Sequence, residues 1–281
     1  MKSNHSIIIV DNTVKEGADK ILLTVQVDTH THTLASGHAF STIGENISQA
    51  SGKGLSGIGM TDHFSPIFSP MTLYNGMRIP DISQMMNMQA LPKIVNGVRV
   101  FAGVEIDIVS LKGDLAFCNV PSVRTPYISL GEALLKTRDY SIASYHGGFQ
   151  GGSRKENTLM YCRVLENPYI QIIGHIGRSG LPFFLDDVLK KAREFGKMIE
   201  INEHSFDFDA SRPVCREIAK RCAQLGVFIT VSSDAHCSYH VGDFERSIAM
   251  LEDISFPQEL IANESLAKFS EIYESAKQSN L

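Results

Sequence analysis

The sequence has few cysteines, and no two of them are spaced as Cys-x-x-Cys. The five cysteines are odd in number, which argues against a disulfide framework or a cysteine-ligated zinc site and favours free thiols in a reducing compartment. No apolar run approaches the roughly 18 residues that a membrane-spanning helix needs, and Ile7–Val10 is too short for the core of a signal peptide. These absences predict a soluble cytoplasmic protein that does not engage a membrane.

An excess of basic residues is also missing. The chain has 26 lysines and arginines against 31 aspartates and glutamates, a formal net charge of −5, which argues against a nucleic-acid-coating protein. No linker, low-complexity stretch or internal repeat divides the 281 residues, and 43% hydrophobic residues are ordinary for a globular chain. The sequence therefore predicts a single domain over residues 1–281, with residues 1–20 as an N-terminal extension.

Short apolar runs alternate with amphipathic stretches, a pattern typical of repeated β–α units and of the α/β class. Strands are predicted over Ile21–Val27, Ser56–Met60, Val98–Val104, Tyr140–Ser144, Ile170–Ile173, Met198–Ile201 and Phe228–Val231. Helices are predicted over Gly44–Lys53, Ile82–Val95, Lys155–Leu165, Asp186–Phe195, Pro213–Leu225, Asp243–Asp253 and Ser265–Lys277. Ser211 is the predicted cap of the fifth of these helices, and Gly226 is its predicted end. Ile7–Val10 could add a short strand, and Phe64–Pro80, which contains prolines and shows no clear period, is predicted to be a long loop.

Each predicted strand is followed by polar residues at or just beyond its carboxyl end. In chain order they are Asp28, His30 and His32, then Asp62 and His63, Glu105, His146, His175, Glu200 and Asn202, and finally Asp234 and His236. In a barrel of parallel strands these ends form one rim, where side chains converge. Any one of them alone is more often a hydrogen-bonded core histidine or a turn carboxylate. Together, imidazoles and carboxylates at one rim indicate a site for a borderline divalent metal.

The same residues carry a family resemblance. Asp28-Thr29-His30-Thr31-His32-Thr33, Gly37-His38-Ala39 and Thr61-Asp62-His63 resemble the opening motifs of the PHP (polymerase and histidinol phosphatase) family. Glu105, His146, Gly174-His175 and Ser233-Asp234-Ala235-His236 resemble its later motifs. The resemblance runs from about Val25 to Ile254 and is closest to the stand-alone, YcdX-type trinuclear zinc phosphatases, to which Gly76-Met77-Arg78-Ile79 and Phe256-Pro257 are also similar.

The resemblance implies a distorted (β/α)7 barrel, similar to a TIM barrel, spanning residues 21–281 with C-terminal helices. It implies three divalent metal ions at the rim, zinc first, with manganese or iron as alternatives. One ion would be held by His30, His32, Glu105 and Asp234, a second by His38, His63 and His236, and a third by Glu105, His146 and His175.

The expected chemistry is hydrolysis of a small phosphorylated metabolite by a metal-bound hydroxide. The sequence contains no Gly-x-Ser-x-Gly elbow and no Cys-x₅-Arg loop, which favours this nucleophile over a side chain. Asp62 either orients an imidazole or stabilises a turn. Arg78 and Arg178 are either phosphate contacts or solvated arginines, and His204 is a candidate for substrate contact.

Three other functions stay open at this point. A PHP-type phosphodiesterase or exonuclease would keep the fold, although the net charge disfavours a nucleic-acid substrate. An amidohydrolase-type C–N hydrolase also opens with His-x-His, but its binuclear members typically have a lysine where this chain has His146. A metal-buffering module is the non-enzymatic alternative. The oligomeric state, homo-oligomer included, is also open.

Overall fold

The computed structural model describes residues 22–74, 76–122 and 127–278. The N-terminal extension and the predicted strand Ile7–Val10 lie outside these residues. Within them no helix is long and apolar enough to cross a membrane. The strands are β1 Val27–Thr31, β2 Gly57–Met60, β3 His63–Phe64, β4 Met71–Tyr74, β5 Met77–Pro80, β6 Ile94–Val95, β7 Val98–Ala102, β8 Glu105–Asp107, β9 Ile142–Ser144, β10 Ile172–Ile173, β11 Met198–Asn202 and β12 Ile229–Ser232.

The helices follow the strands in sequence and confirm the predicted alternation. They are α1 Ile43–Gly52, α2 Ser83–Met86, α3 Leu130–Leu135, α4 Arg154–Leu165, α5 Leu185–Glu194, α6 Ser211–Leu225, α7 Glu245–Asp253 and α8 Leu266–Gln278. In α6 the buried positions Cys215, Ile218, Ala219 and Cys222 follow the spacing of one helix face. This helix ends at Gly226, as predicted, in the left-handed conformation that glycine adopts without strain.

The strands form two sheets of mainly parallel strands and one separate hairpin. The sheet orders are β1-β2-β7-β6 and β12-β11-β10-β9-β8-β3, and β4 pairs with β5. Short breaks separate β2 from β3 and β7 from β8, so these two strand paths each contribute to both sheets. Beyond the paired strands, the His32 N–H donates to the Ala235 carbonyl (2.8 Å) and the Asp234 N–H donates to the His30 carbonyl (2.9 Å). The α/β class with a parallel sheet is therefore confirmed.

Asn263, in the segment before α8, connects the first strand to the last one. Its side-chain amide donates to the carbonyls of Val27 (2.7 Å) and Val231 (2.6 Å), and its side-chain oxygen accepts from the Val231 N–H (3.0 Å). The residue is fully buried. Because buried backbone groups need partners, Asn263 supplies at this junction the hydrogen bonds that a strand neighbour would otherwise supply.

The predicted bounds of two strands, the first one and the one before Glu105, were wrong. β1 begins at Val27, where the prediction for Ile21–Val27 ended, so Asp28 and His30 lie within the strand. β1 is buried along its whole length, but its inward side chains are polar, and an apolar-run criterion therefore misses it. Glu105 begins β8 instead of following β7, because the strand path breaks at Gly103 and Val104.

Three further local predictions were wrong. The predicted loop Phe64–Pro80 contains the hairpin of β4 and β5, in which Tyr74 is the register partner of Met77. The predicted helix Ile82–Val95 is only α2, followed by a 3-10 turn and β6, and the sequence interpretation missed α3. Ser211 is the first residue of α6 and not its cap, and the preceding Ala210 has no side-chain cap hydrogen bond.

A buried lysine supplies a test of the core. Lys197 is 1% exposed, and its ammonium donates to the carbonyls of Ala276 (3.2 Å) and Asn167 (3.3 Å). Burial lowers its pKa to about 8, below the usual value of about 10.4. Between these values the unfolded chain binds more protons than the folded chain, so the contribution of Lys197 to stability rises with pH.

We expect Lys197→Met to remove this rise. Between pH 7.5 and 10 the free energy of unfolding of the wild type should increase by about 2 kcal/mol relative to that of the variant. Urea unfolding at several pH values measures the difference. The matched control is Lys190→Met on the exposed face of α5, which should leave the pH dependence unchanged. Parallel pH curves for the wild type and Lys197→Met would contradict the assignment.

Candidate metal centre

The nine residues predicted as metal ligands lie in one cluster. They are His30, His32, His38, His63, Glu105, His146, His175, Asp234 and His236, and each is linked to another member by an ion-pair or ring contact. His63 and Glu105 are register partners on the adjacent parallel strands β3 and β8, so their side chains emerge next to each other. The strand ends therefore converge as the sequence pattern predicted.

Glu105 occupies the centre of this cluster, and its two carboxylate oxygens face different histidines. Oε2 lies 2.8 Å from His63 Nδ1, 3.3 Å from His30 Nε2 and 3.5 Å from His32 Nε2. Oε1 lies 2.8 Å from the Nε2 of His175 and 3.4 Å from that of His146. The carboxylate is fully buried. A carboxylate with imidazoles on both oxygens has the arrangement of a bridging ligand.

Asp234 divides its carboxylate between the cluster and an arginine. Oδ1 lies 3.1 Å from His32 Nε2 and 3.6 Å from His30 Nε2. Oδ2 accepts from Arg178 (2.6 Å) and from Asn202 Nδ2 (3.2 Å), and Arg178 also donates to Asn202 Oδ1 (2.8 Å). Asp234 also has a positive φ of 56°, a conformation that non-glycine residues rarely adopt and that is concentrated at functional sites.

His38 and His236 lie on one side of the cluster, with ring centroids 4.6 Å apart. The Nδ1 of His38 donates to the Ser36 carbonyl (3.1 Å), and the Nδ1 of His236 donates to the Asp234 carbonyl (2.9 Å). Since Nδ1 carries the proton in each ring, Nε2 is left as the ligand atom. Phe68 packs against the His38 ring at 5.0 Å.

Carboxylates outside the cluster hold the second nitrogen of two rings. Glu200 accepts from the ring Nδ1 of His30 (2.7 Å) and from the backbone N–H of His175 (2.6 Å). Asp107 accepts from His146 Nδ1 (2.7 Å). Glu200 stands at a predicted strand end with no role expected for it. Asp107, which lies two residues beyond Glu105 on the same face of β8, was not predicted. Such partners fix the orientation of ligand imidazoles.

Asp62 does not hold the neighbouring His63 ring. It accepts from the N–H (2.6 Å) and hydroxyl (2.8 Å) of Thr33 and from the Ser36 hydroxyl (2.7 Å). Because Ser36 donates its proton to Asp62, its oxygen accepts from His32 Nδ1 (2.9 Å). Asp62 thus acts on His32 through Ser36.

The electrostatics of the cluster distinguish His32 and His175 from His146. Burial lowers the pKa of His32 well below its usual value and that of His175 to about 4, so both rings are neutral at pH 7. Burial also disfavours the charged form of His146, but Glu105 and Asp107 outweigh it and raise the pKa to about 10. The site therefore combines neutral imidazoles with positions where carboxylates favour a positive charge.

The residues present fit divalent metal ions. Three groups have their ligand atoms within 4.8 Å of one another: His32, His63 and His236; His30, His32 and Asp234; and His63, Glu105 and His146. Glu105 Oε2 and His63 Nδ1 are buried, and although they lie 2.8 Å apart they do not have the geometry of a hydrogen bond with each other or with another group. An unsatisfied buried polar atom is costly, and a cation between these two atoms would satisfy both. Imidazole nitrogens and carboxylate oxygens are the donors that zinc takes in proteins.

The other predicted site residues are less closely associated with the cluster. Arg178 contacts it through Asp234. Arg78 is exposed on β5, and within the described residues no hydrogen bond or ion pair joins it to the histidines. His204 lies outside the cluster and pairs with Asp207 (2.6 Å).

The sequence profile of the PHP domain matches residues 28–204, which span β1 to the residues following β11. The chain belongs to the PHP family. A probable phosphatase of Acetivibrio thermocellus is 35% identical over 254 residues, covering 90% of this chain and 96% of that protein. Another, from Caldanaerobacter subterraneus subsp. tengcongensis, is 39% identical over 254 residues, covering 89% and 91%.

Solved structures agree on the fold of this PHP protein. The histidinol phosphate phosphatase of Lactococcus lactis, crystallised with zinc, L-histidinol and phosphate, aligns with a TM-score of 0.58. The alignment covers 83% of this chain and 94% of that one at 17% identity. The profile and the relatives confirm the predicted family. The probable phosphatases among the relatives confirm the prediction of a hydrolase of phosphoric esters.

Proposed function

We propose that this PHP protein is a metal-dependent phosphomonoesterase that hydrolyses a small phosphorylated metabolite at a three-metal site. The observation that carries the proposal is the buried Glu105 carboxylate, whose two oxygens face the nitrogens of five histidines. A phosphomonoester has a dianionic group, and such a group is best stabilised where several cations and an arginine meet. The probable phosphatases among its relatives support the reaction class.

The fold proposed for this function is a single distorted (β/α)7 barrel over residues 21–281. The hydrogen bonds between the segments following β1 and β12, together with the bridging side chain of Asn263, support closure of the two sheets into one ring. Closure would place the carboxyl ends of β1 and β12 side by side, where His32 and Asp234 are 3.1 Å apart.

The proposed ligands follow the family pattern. His30, His32, Glu105 and Asp234 would hold one ion, His38, His63 and His236 a second, and Glu105, His146 and His175 a third. When bound, such ions supply Lewis acidity at the phosphoryl oxygens and a strong nucleophile at neutral pH. Of the three groups whose ligand atoms lie within 4.8 Å of one another, two share His32 and two share His63. This sharing supports ions that lie near one another.

Several residues around the ligands have proposed roles of their own. Arg178 fixes Asp234 through one terminal nitrogen and Asn202 through the other, and its remaining N–H donors would contact phosphate oxygens. The Nδ1 atoms of three histidines are kept protonated by hydrogen-bond acceptors, which leaves their Nε2 atoms free to bind a metal. The pairs are His30 with Glu200, His146 with Asp107, and His32 with Ser36, which Asp62 supports. A phosphate contact by Arg78, a cytoplasmic location and a homo-oligomer stay predictions.

A comparison of substrate classes tests the proposed reaction. Purified protein loaded with zinc or manganese should hydrolyse p-nitrophenyl phosphate with a kcat/KM at least about 100-fold above that for bis(p-nitrophenyl) phosphate, because a diester lacks the second phosphoryl charge that the cations stabilise. p-Nitroacetanilide, an amide, should give no turnover. A preference for the diester would favour the phosphodiesterase alternative, and turnover of the amide would favour a C–N hydrolase.

A further inference from the structure

Two cavities open beside the metal-ligand cluster, and they differ in chemistry. The larger one, of about 1230 Å³, reaches His38, Asp234 and His236 and is lined by charged residues of the segment after β11 and of α7. The second, of about 770 Å³, reaches His146, His175 and Arg178. Each adjoins a different set of candidate ligands, so either one could receive the part of a substrate that extends away from its phosphate.

Several of the charged side chains that line the larger cavity already have partners. Arg246 lies 2.7 Å from Glu203 and 2.6 Å from Asp207, and His204 lies 2.6 Å from the same Asp207. Glu203 is buried and also accepts from two N–H groups at the start of α7. These side chains therefore build a wall between two elements, and a ligand there would have to compete with existing ion pairs.

The second cavity has apolar walls that lack such partners. Six of its larger apolar side chains are Tyr145, Ile176, Leu181, Phe183, Phe208 and Val214, and this second cavity is called the aromatic cavity below. Phe208 is 50% exposed and Val214 is 41% exposed. Large apolar side chains left in water around a concave surface are typical of a ligand site. Gly147 and Gly180 also line this cavity, and open space surrounds the position where each would carry a Cβ.

We propose that the aromatic cavity binds the alcohol part of the substrate, and that this part is apolar and aromatic. The inference rests on the proposed phosphomonoesterase function and names the substrate class for it. A phosphate held by the cluster and Arg178 leaves its ester oxygen pointing away from the ligands, and the aromatic cavity begins at His146 and His175. The rings of Tyr145, Phe183 and Phe208 would then pack against an aromatic alcohol.

The test compares Phe208→Ala with the wild type on two phosphomonoesters. For 2-naphthyl phosphate kcat/KM should fall about ten-fold in the variant, because the naphthyl ring would bury less apolar surface on binding. For methyl phosphate, which does not reach the cavity, kcat/KM should change less than about two-fold. Val214→Ala should show the same selectivity with a smaller loss. Phe40→Ala is the matched control, since Phe40 is a 79% exposed aromatic residue that lines the larger cavity. In this variant kcat/KM should stay unchanged for both esters.

Binding of 2-naphthol gives a readout that does not depend on turnover. The sequence contains no tryptophan, so the fluorescence of the probe can be followed directly, and Phe208→Ala should weaken binding about ten-fold. Equal losses on both esters, or selectivity that follows Phe40→Ala, would overturn the assignment of the aromatic cavity. Hydrolysis of phosphomonoesters without 2-naphthol binding would also overturn it and leave the proposed function intact. Binding that depends on Phe208, without hydrolysis of any phosphomonoester, would place the failure in the proposed function.

Discussion

Glu105→Gln is expected to lower kcat for p-nitrophenyl phosphate by more than about 100-fold. Even the replacement of a hydrogen-bond partner of a metal ligand typically lowers metal affinity or activity 10- to 100-fold. The substitution keeps the shape of the side chain and removes the negative charge that both carboxylate oxygens present to five histidines. An amide cannot bridge two cations with charged oxygens. Metal content measured by plasma emission spectroscopy should therefore fall together with kcat.

The matched control for this variant is Glu203→Gln. Glu203 is also a buried glutamate, but its partners are Arg246 and the start of α7. Its replacement should lower the free energy of unfolding by about 1–3 kcal/mol and leave the metal content unchanged. If Glu105→Gln retained full metal content and wild-type kcat, Glu105 would not be a ligand and the proposed centre would have to be abandoned.

Removal of the metals is the second large effect. Purified protein should contain about three divalent ions per chain, as the family resemblance implies, and dialysis against a chelator should abolish turnover of p-nitrophenyl phosphate. Turnover should return on addition of zinc or manganese, because the imidazole and carboxylate donors accept either ion. The melting temperature should fall on chelation and recover with the metal, since an ion bound only by the folded chain stabilises it.

A chelator saturated with zinc beforehand is the control for direct effects of the chelator on the protein. It should leave both turnover and melting temperature unchanged. A metal content of one ion or none, with turnover unaffected by the free chelator, would contradict the three-metal proposal and the interpretation of the resemblance.

Eight of the nine members of the cluster could be predicted from the sequence because they recur at one kind of position, whereas His38 was expected only from the family resemblance. A polar residue after an apolar run is a local signal, and the parallel α/β topology converts many such signals into a single rim. The position of each residue within its strand could not be predicted from this local signal. Asp28 and His30 are fully buried in β1 because they have charged and hydroxyl partners, and those partners come from distant parts of the chain.

The hairpin of β4 and β5 was missed although the sequence contained a signal for it. The dipeptide Asn75-Gly76 is among the strongest short-range indications of a tight hairpin turn, and Gly76 has the positive φ of 76° that such a turn requires. The prolines of this region instead favour a loop. Pro80 is compatible with the hairpin because it lies opposite Met71 in an edge strand, and the next ladder bond runs from the Asp81 N–H to the Pro70 carbonyl (2.7 Å).

The supporting groups around the ligands were harder to predict, for a different reason. Asp107, Glu200 and Ser36 act by hydrogen bonds to the far side of imidazole rings, and these contacts depend on ring orientations that are set only when the strands are assembled. For Asp62 the sequence left open whether it orients an imidazole or stabilises a turn. The ring that it reaches, through Ser36, is that of His32, because its neighbour in sequence, His63, is not its neighbour through hydrogen bonds.

The junction between β1 and β12 joins parts of the chain that are very far apart in sequence. Asp28 and Ser233, which are hydrogen-bonded there, are separated by 205 positions. Bringing such distant segments together carries one of the largest loop-closure entropies in the molecule. His30 and His32 lie on one side of this junction and Asp234 and His236 on the other. A cation shared across it would cross-link the first strand of the fold to the last one, so the ions of the proposed centre would also offset the entropy of closing the chain on itself.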